Sequence, residues 1–577
     1  MSSEQLARID RKADEATVAD TTEKEGAHGR PSASKLLVSL AHGVKLWHTP
    51  DDVAYASIPV GDHIEQWPLR SKGFRSWLTK MLWESDQRAA PSQAMQDALS
   101  VLEGMAIHDG EEHKVHVRLA ERGRNIYLDL ADDRWRAVEV TANGWHVVPN
   151  PSTRFERRKG MRPLPVPTQG GTLDKLRDFV NVSDKEWPLI LASLVGAFNV
   201  RGPHAVTIMS GEQGSGKSTN SRVMRQVIDP NEADLRSAPR DTRDLMIACR
   251  NGWICAFDNL SDLRPALSDD LARLATGAGL GTRALFRDDE ETLFHACRPI
   301  ICNGITDVVT RPDLLDRSLV IRPPRIEDRD RLDERTFWQR FDEALPGILG
   351  ALLDAVSTAL RGRDHVVLKD SPRMADFARW VVAAEPALPL PQGAFMDAYT
   401  ANRRDAQDLA LDADPVAQGI AALLDKGEWE GTAVELAKAV KPQDAPKWWP
   451  TTGQAMAGAL RRAAPTLRAQ GYDVEYHENA RPRKWQLRKH PNTTDLNDIS
   501  DETRIDVGSS VCQSPVTSRA EIGKSDAESD RLKALPEADL VTQVSSVTSI
   551  QDHSCPGCNG AGCHLCDGPE AYEGGVL

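Results

Sequence analysis

At 577 residues the chain is too long for one hydrophobic core and is expected to hold three or four folded units. Its net charge of −14 excludes a protein that coats nucleic acid with its whole surface, so any DNA contact must come from a local basic face. With 27% charged and 40% hydrophobic residues the composition is ordinary for a soluble protein, and no apolar run approaches the ~20 residues of a membrane span.

Residues 1–35 are polar, mixed in charge and without hydrophobic periodicity, and read as a disordered tail rather than a secretory signal. That sets the expected location as the cytoplasm, away from membranes. Five scattered cysteines (Cys249, Cys255, Cys297, Cys302, Cys512) and four crowded near the C-terminus fit a reducing compartment, not a disulfide framework.

Residues 36–167 read as an α+β accessory domain. Helices are predicted over Phe74–Trp83 and Pro91–Ile107, where apolar residues recur at three- and four-residue spacings. Four β-type runs follow, Val115–Leu119, Asn125–Leu130, Trp135–Val140 and Trp145–Val148, parted by turn residues as in an antiparallel meander. Asp129, Asp132 and Asp133 are assigned to a solvated turn, because turns favour Asp on backbone grounds alone. The proline-rich stretch 163–171 reads as a stiff linker ending in a glycine hinge, and a domain boundary is expected there.

The chain's most informative stretch is the apolar run Ala205–Ser210, which empties into Gly211, Glu212, Gln213, Gly214, Ser215, Gly216, Lys217, Ser218 and Thr219. A strand, the pattern G-x-x-x-x-G-K-S and a helix-compatible sequence, in that order, make a phosphate-binding loop. Its glycines let backbone N–H groups turn inward on phosphate oxygens, and the new helix adds its positive end. Lys217 is assigned to the β- and γ-phosphates and Ser218 to Mg²⁺, so ATP with Mg²⁺ is the expected cofactor pair.

A second buried strand, residues 251–258, ends in Asp258, about 40 residues beyond Lys217, where a carboxylate can complete the Mg²⁺ shell. A third strand, 299–303, ends in the amide Asn303, and Arg311–Arg317 precedes a fourth, 318–322. Strands alternating with helices around a phosphate loop predict a parallel α/β sheet with its chemistry at the strand C-termini.

The ordered set GEQGSGKST, ICAFDN, IICNG and RPDLLDRSLVI resembles the AAA+ ATPase module of superfamily 3 helicases, in the version found in virus, phage and mobile-element primase/helicase proteins. The resemblance implies an ATPase and DNA helicase with a P-loop core over 172–325 and a helical lid over 326–405. It makes Lys217 and Ser218 the Walker A pair and Asp258 the Walker B acid. Asn303 takes the place of the sensor amide that orients the attacking water, and Arg317 that of an arginine finger reaching into a neighbouring subunit's site. A finger acting in trans implies a homo-oligomeric ring, a hexamer in the family's usual form. Arg283 and Arg287 stand where relatives carry a pore hairpin on single-stranded DNA; an ordinary solvated loop is the competing account. Arg373, following the core, is a candidate lid contact to the γ-phosphate, against a plain surface arginine. The chain departs from the family after Asp258, where many relatives have a second acid and this one has Asn259. An amide positions water but cannot take its proton, which leaves Asp262 as a substitute or hydrolysis slow.

Residues 412–490 pattern as three helices and a two-stranded basic wing, which resembles a winged helix-turn-helix domain on duplex DNA. Arg461 and Arg462 on the third helix, and Arg481, Arg483 and Lys484 in the wing, are the expected DNA contacts. A winged helix used only for protein contacts is the other reading. Residues 491–553 read as a disordered linker. In the tail, 554–577, the pairs Cys555/Cys558 and Cys563/Cys566 suit tetrahedral Zn²⁺, though the four-residue gap is short, His553 or His564 can compete, and a metal-free tail is the alternative.

Two functions therefore stand. One is an ATP-driven helicase or translocase replicating a phage or mobile element, alongside other replication proteins. The other is an ATP-gated regulator or loader that assembles on DNA without unwinding it.

Overall fold

The computed structural model describes residues 31–260, 263–283, 291–294, 296–304, 311–478 and 482–490, all within the first of the chain's two units, residues 1–498. The expected N-terminal tail up to residue 30, Asp262, Arg287, Arg481, the linker and the cysteine tail with Cys555, Cys558, Cys563 and Cys566 lie outside the described residues.

The N-terminal region opens with α1 (Ala33–Leu40), capped by the Ser32 hydroxyl on the Lys35 N–H. Three strands follow, β1 (Lys45–His48), β2 (Ala54–Val60) and β3 (His63–Pro68), then α2 (Lys72–Asp86), α3 (Ser92–His108) and β4 (Glu111–Glu112). They form a sheet in the order β3-β2-β1-β4. One face of α2 and α3 (Phe74, Leu78, Leu82, Leu99, Leu102) seals with Leu37 and Ile58 into a local core. Both helices fall where their periodicity predicts. The β1–β3 sheet has no counterpart in the sequence reading, because its strands are short and interrupted by polar and proline residues.

Next come β5 (Val115–His116), β6 (Leu119–Arg122), β7 (Asn125–Asp129), β8 (Ala137–Thr141), β9 (Gly144–Val148) and β10 (Arg154–Phe155). Strands β6 to β9 form an antiparallel meander, with its last three strands where expected. The first expected run, Val115–Leu119, instead supplies β5, which pairs parallel with β10, and the meander begins at Leu119. The meander's apolar face is Leu119, Ile126, Leu128, Val138, Val140 and Trp145, the alternate residues that a pleated strand directs to one side. These side chains join the same hydrophobic core as the helices of the following region.

The proline stretch 163–171 is therefore not a free hinge. The Leu164 N–H bonds the Leu130 carbonyl and the Thr168 N–H the Pro346 carbonyl, while the Leu164 side chain is buried. Glycine explains the close fit. A Cβ at Gly350 would lie 1.9 Å from the Thr168 carbonyl oxygen, and one at Gly171 would lie 2.0 Å from that of Gly347. The segment lies flat on a helix where a stiff linker ending in a glycine hinge was expected.

The central region runs α4 (Trp187–Gly196), β11 (Val206–Ser210), α5 (Lys217–Ile228), β12 (Arg236–Ser237), α6 (Thr242–Arg250), β13 (Cys255–Leu260), α7 (Pro265–Thr276), the hairpin β14 (Leu280–Arg283) and β15 (Glu291–Phe294), β16 (Ile300–Gly304), α8 (Pro312–Leu315) and β17 (Ser318–Ile321). Its five-stranded sheet has the order β12-β13-β16-β11-β17, every neighbour pair parallel. Three further helices pack around it, α9 (Glu334–Gly362), α10 (Ala375–Ala384) and α11 (Ala394–Asp412), with α11 running along the edge strand β17. Among the described residues α9 is the helix long and apolar enough to cross a membrane, but Phe341, Leu345, Leu349, Leu352 and Val356 pack in the protein core.

The last region holds α12 (Pro415–Leu424), β18 (Trp429–Gly431), α13 (Ala433–Ala439), α14 (Gly453–Ala469), β19 (Tyr472–His477) and β20 (Lys484–Lys489). Its antiparallel sheet has the order β18-β20-β19. Ile420, Leu436, Met456, Leu460, Leu467, Trp485 and Leu487 form a core of their own. Thr432 and Glu435 make a reciprocal capping box on α13.

Candidate nucleotide site and its surroundings

The phosphate loop leaves the end of β11, the second strand from one edge of the sheet. Gly214 and Gly216 take φ of +84° and +79°, a region glycine enters without steric cost, and Gly216 is the N-cap of α5. Lys217 Nζ donates to the Gly211 and Glu212 carbonyls at 2.8 and 2.6 Å, so the ammonium is held over the loop. Burial pushes its pKa down, and the Asp258 carboxylate opposes that. The Ser215 hydroxyl closes the loop on the Glu212 carbonyl.

Asp258 lies on β13, two strands away from β11 with β16 between them. Ser218 Oγ donates to Asp258 Oδ1 at 3.1 Å. A hydroxyl and one carboxylate side by side suit Mg²⁺, which keeps waters and substrate phosphates as its remaining ligands. Among the described residues no group of three or more His, Cys, Asp or Glu is placed to hold a metal ion. Asn303, 1% exposed on the intervening β16, accepts the Asn259 N–H at 2.8 Å and reaches Ser221 Oγ at 3.4 Å. Asn259 has a φ of +54°, a left-handed conformation that asparagine tolerates better than most side chains. Lys217, Ser218, Asp258 and Asn303 thus meet at the C-terminal edge of the sheet.

Sequence reasoning missed one residue of this site. Asn181 Nδ2 donates to the Ser215 and Pro324 carbonyls, and its backbone pairs reciprocally with the Asn220 side chain. It straps the loop to the segment after β17. Nothing in its spacing, 30 residues ahead of the loop, marks it. Beside the strap a cavity of about 650 Å³ opens between Val180, Gly216, Ile326, Leu332 and Trp338, large enough for a base and sugar.

Arg317 sits elsewhere. Its carbonyl accepts the Val206 N–H at the start of β11, whereas the phosphate loop follows the end of that strand, about 17 Å away at the usual rise per residue. Arg317 is ion-paired with Asp313, and Arg373 Nη2 binds the same carboxylate at 2.6 Å. Arg373 and Arg403 also share Asp316. Neither Arg317 nor Arg373 can therefore reach the phosphates of its own loop. This overturns the lid contact expected for Arg373: its guanidinium is held at the opposite edge of the sheet.

The expected DNA contacts divide. Arg283 closes the β14–β15 hairpin, its backbone opposite Glu291, and its side chain is not described. Arg461 and Arg462 lie on the outer side of α14, with Arg461 near the rings of Tyr476 and Trp485. They face a cleft of about 750 Å³ whose other wall is α11 with Arg311 and Arg373, so the helix is turned toward the core. In the wing Arg483 is exposed, whereas Lys484 pairs with Glu430, Arg488 with Glu475 and Lys489 with Asp425. Much of the wing's positive charge is matched locally by acids that its own neighbouring strands and turns supply.

Comparison with known proteins places these regions. The chain resembles solved apo structures of the NrS-1 C-terminal region. One has 12% identity over 79% of this chain and 98% of that one, with a TM-score of 0.33, and another has 13% identity over 80% and 100%, with a TM-score of 0.34. No protein with a curated description matches. Residues 173–409 match the family described as actinomycete integrative conjugative element replication protein, and residues 416–502 match the C-terminal domain of the same replication protein, RepA. The two segments follow one another, together make up more than half of the chain, and show that it belongs to the replication proteins of actinomycete integrative conjugative elements.

Proposed function

We propose that this replication protein is an ATP-dependent DNA helicase or translocase, a ring-forming AAA+ motor of the superfamily 3 kind that works in the cytoplasm on its element's DNA. The observation that carries the reading is the contact of Ser218 with Asp258, made between the phosphate loop's helix and a strand two positions away. The strand order supports it, because an extra strand between the loop strand and the acid-bearing strand puts Asn303 beside the Mg²⁺ pair. In this reading the cavity near Trp338 would take the base and sugar of ATP, and the loop and Lys217 would hold its phosphates. Ser218 with Asp258 would hold a Mg²⁺ ion that offsets the phosphate charge. Arg317, turned away from its own loop, is supplied to the next subunit's nucleotide, which requires a ring, a hexamer on the family pattern. The β14–β15 hairpin would grip a single strand. Residues 412–490 would serve as a winged helix recruiting the ring to duplex DNA, once α14 swings clear of the cleft.

One observation favours a second reading, an ATP-gated regulator or loader. The residue after Asp258 is Asn259, whose backbone is already committed to Asn303. No described carboxylate stands there to take the proton of an attacking water, so nucleotide binding without fast turnover would follow.

The deciding experiment measures DNA-stimulated ATP hydrolysis and displacement of a strand from forked DNA, with Lys217→Ala as control. A motor shows both activities and loses both in the variant. Nucleotide-dependent assembly on DNA with no displacement would establish the loader instead. The zinc assignment to the tail cysteines is tested separately, by metal analysis of the purified chain and of a Cys555→Ser variant.

A further inference from the structure

The N-terminal region holds a cavity of about 360 Å³ between the β1–β3 sheet and the loop that precedes β10, lined among others by Lys45, Ile64, Trp135, Asn150, Thr153 and Arg154. Its size is that of a small-ligand pocket, far below what a duplex needs. Arg154 is its chemical centre. The guanidinium lies 4.6 Å over the Trp47 ring, and Nη1 donates to Ser57 Oγ at 2.8 Å and Gln66 Oε1 at 3.3 Å. Both acceptors are neutral, and among the described residues no carboxylate pairs with this arginine.

The acids nearby are engaged. Asp129, on the cavity wall, is held by Arg157 at 2.9 Å and by the Ala131 N–H. Glu111 is tied to Lys45 and His113. Thr153 Oγ1, at the cavity wall, is buried with no hydrogen-bond partner. The half-buried guanidinium thus has neutral hydrogen-bond partners, and it feels the Glu111 carboxylate only at a distance and shared with Lys45 and His113. It lies beside an orphan hydroxyl, a setting that an anion would stabilise. The apolar part of the lining is Trp135 and Phe155, both buried, with the exposed Pro59 and Ile64 (42% exposed) at the rim, one pleat along from Ser57 and Gln66. An anionic group beside a flat apolar surface describes a nucleotide.

We propose that this cavity is a subsite for one nucleotide of single-stranded DNA, with Arg154 and Thr153 taking the phosphodiester and the Ile64–Trp135 wall taking the base. The membership of a mobile-element replication family supplies the strand. Free phosphate and free mononucleotide offer the same anion and are separated from it by the test. The subsite uses none of the nucleotide-site residues and stands whether or not the chain is a motor.

The test is photocrosslinking of the full-length chain, in the Lys217→Ala background and without ATP, to an oligothymidylate carrying 5-iodouracil, with the adducts mapped by mass spectrometry. Adducts are expected on peptides that span residues 57–67 or 129–157. Arg154→Gln should remove them and lower the slope of log affinity against log salt by about 0.7, the value for one lost single-strand phosphate contact. Ile64→Glu, at the exposed rim, should cut the same adducts at least about tenfold by charge repulsion without touching the buried network. This keeps the proposal open to refutation should Arg154→Gln not fold. Adducts confined to other regions, or unchanged in Ile64→Glu, overturn the proposal. Loss of these adducts on adding equimolar thymidine monophosphate or inorganic phosphate would show a site for the free ligand and overturn the strand assignment.

Discussion

Arg118 and Asp229 meet at 3.1 Å with both side chains fully buried, joining the bend between β5 and β6 to the C-terminal end of the phosphate-loop helix. Arg118 further donates to the carbonyls of Asp129, Arg162 and Pro230, and Asp229 accepts the N–H groups of Trp253 and Ile254. One buried pair thus ties the N-terminal meander to the strand that carries Asp258.

Removing one partner leaves the other as an uncompensated buried charge. Arg118→Met is expected to destabilise the core by about 3 kcal/mol, the lower end of the range for such truncations, because the two N–H groups still serve Asp229. Differential scanning of the purified variant should show the main transition falling by several degrees. A combined Arg118→Met, Asp229→Asn chain should lose less than the two single losses added. An unchanged melting temperature for Arg118→Met would mean that the pair carries no net stability.

That junction marks where the sequence was readable and where it was not. The meander followed from turn residues spaced between β-type runs, because hairpin chemistry is local. The helices over 72–86 and 92–108 followed from period, and the loop from Gly211 to Ser218 from a pattern whose every residue has a backbone reason. The packed state of residues 163–171 was not legible. Prolines look alike in a spacer and in a strap, and only Gly171, Gly347 and Gly350, far apart in sequence, allow the close contact. The positions of Arg317 and Arg373 were legible only as candidates, since which edge of a sheet a side chain occupies depends on strand order. The pairing of the wing's Lys484 and Lys489 was hidden for a similar reason, since Glu430 and Asp425 come from the start of the domain, whereas Arg488 pairs with Glu475 on the adjacent strand.

Two buried imidazoles give the protein an acid limit. Burial pushes His204 down from 6.5 to about 3, with the Gly196 carbonyl opposing, and burial with Arg298 and Lys114 pushes His116 down to about 4. The unfolded chain takes up these protons near pH 6.5, whereas the folded chain refuses them. Stability is therefore full above about pH 6.5 and lost as pH falls, at about 1.4 kcal/mol per pH unit for each ring, until the folded values are reached. His204→Phe keeps an aromatic edge against Trp253 and should flatten the melting-temperature profile between pH 6 and about 4. An identical slope in the variant would assign the acid loss to other groups.

In the proposed motor, Asn259 is expected to limit the hydrolytic rate. Its left-handed backbone accepts Asn and Asp more readily than a longer or branched acid. Asn259→Asp supplies a proton acceptor next to Asp258 at no backbone cost, and should raise kcat at least about tenfold with little change in nucleotide affinity. Asn259→Val strains the same φ, loosens the N–H that holds Asn303, and should lower hydrolysis. Steady-state ATPase assays on both variants check the sign. A slower Asn259→Asp would show that the amide, and not its missing proton affinity, is what the site needs.

The placement of Arg317 leads to a test by mixing. In the proposed ring, Arg317→Ala would remove the guanidinium that one subunit lends and Lys217→Ala the cradle that its neighbour supplies, so each variant alone should lose at least about 100-fold in ATP hydrolysis. In a mixed ring, a Lys217→Ala subunit still carries an intact Arg317, and an Arg317→Ala subunit still carries an intact loop. Wherever the two sit in the right order, one complete site re-forms. Equal mixing of the two inactive proteins should restore activity well above either alone, rising with the fraction of correctly ordered pairs. Asp313→Ala should reduce this recovery, because Asp313 holds Arg317 and Arg373 together at that edge of the sheet. If Arg317→Ala hydrolyses ATP normally on its own, or if mixing recovers nothing, each nucleotide is handled within a single chain and the ring motor gives way to the loader.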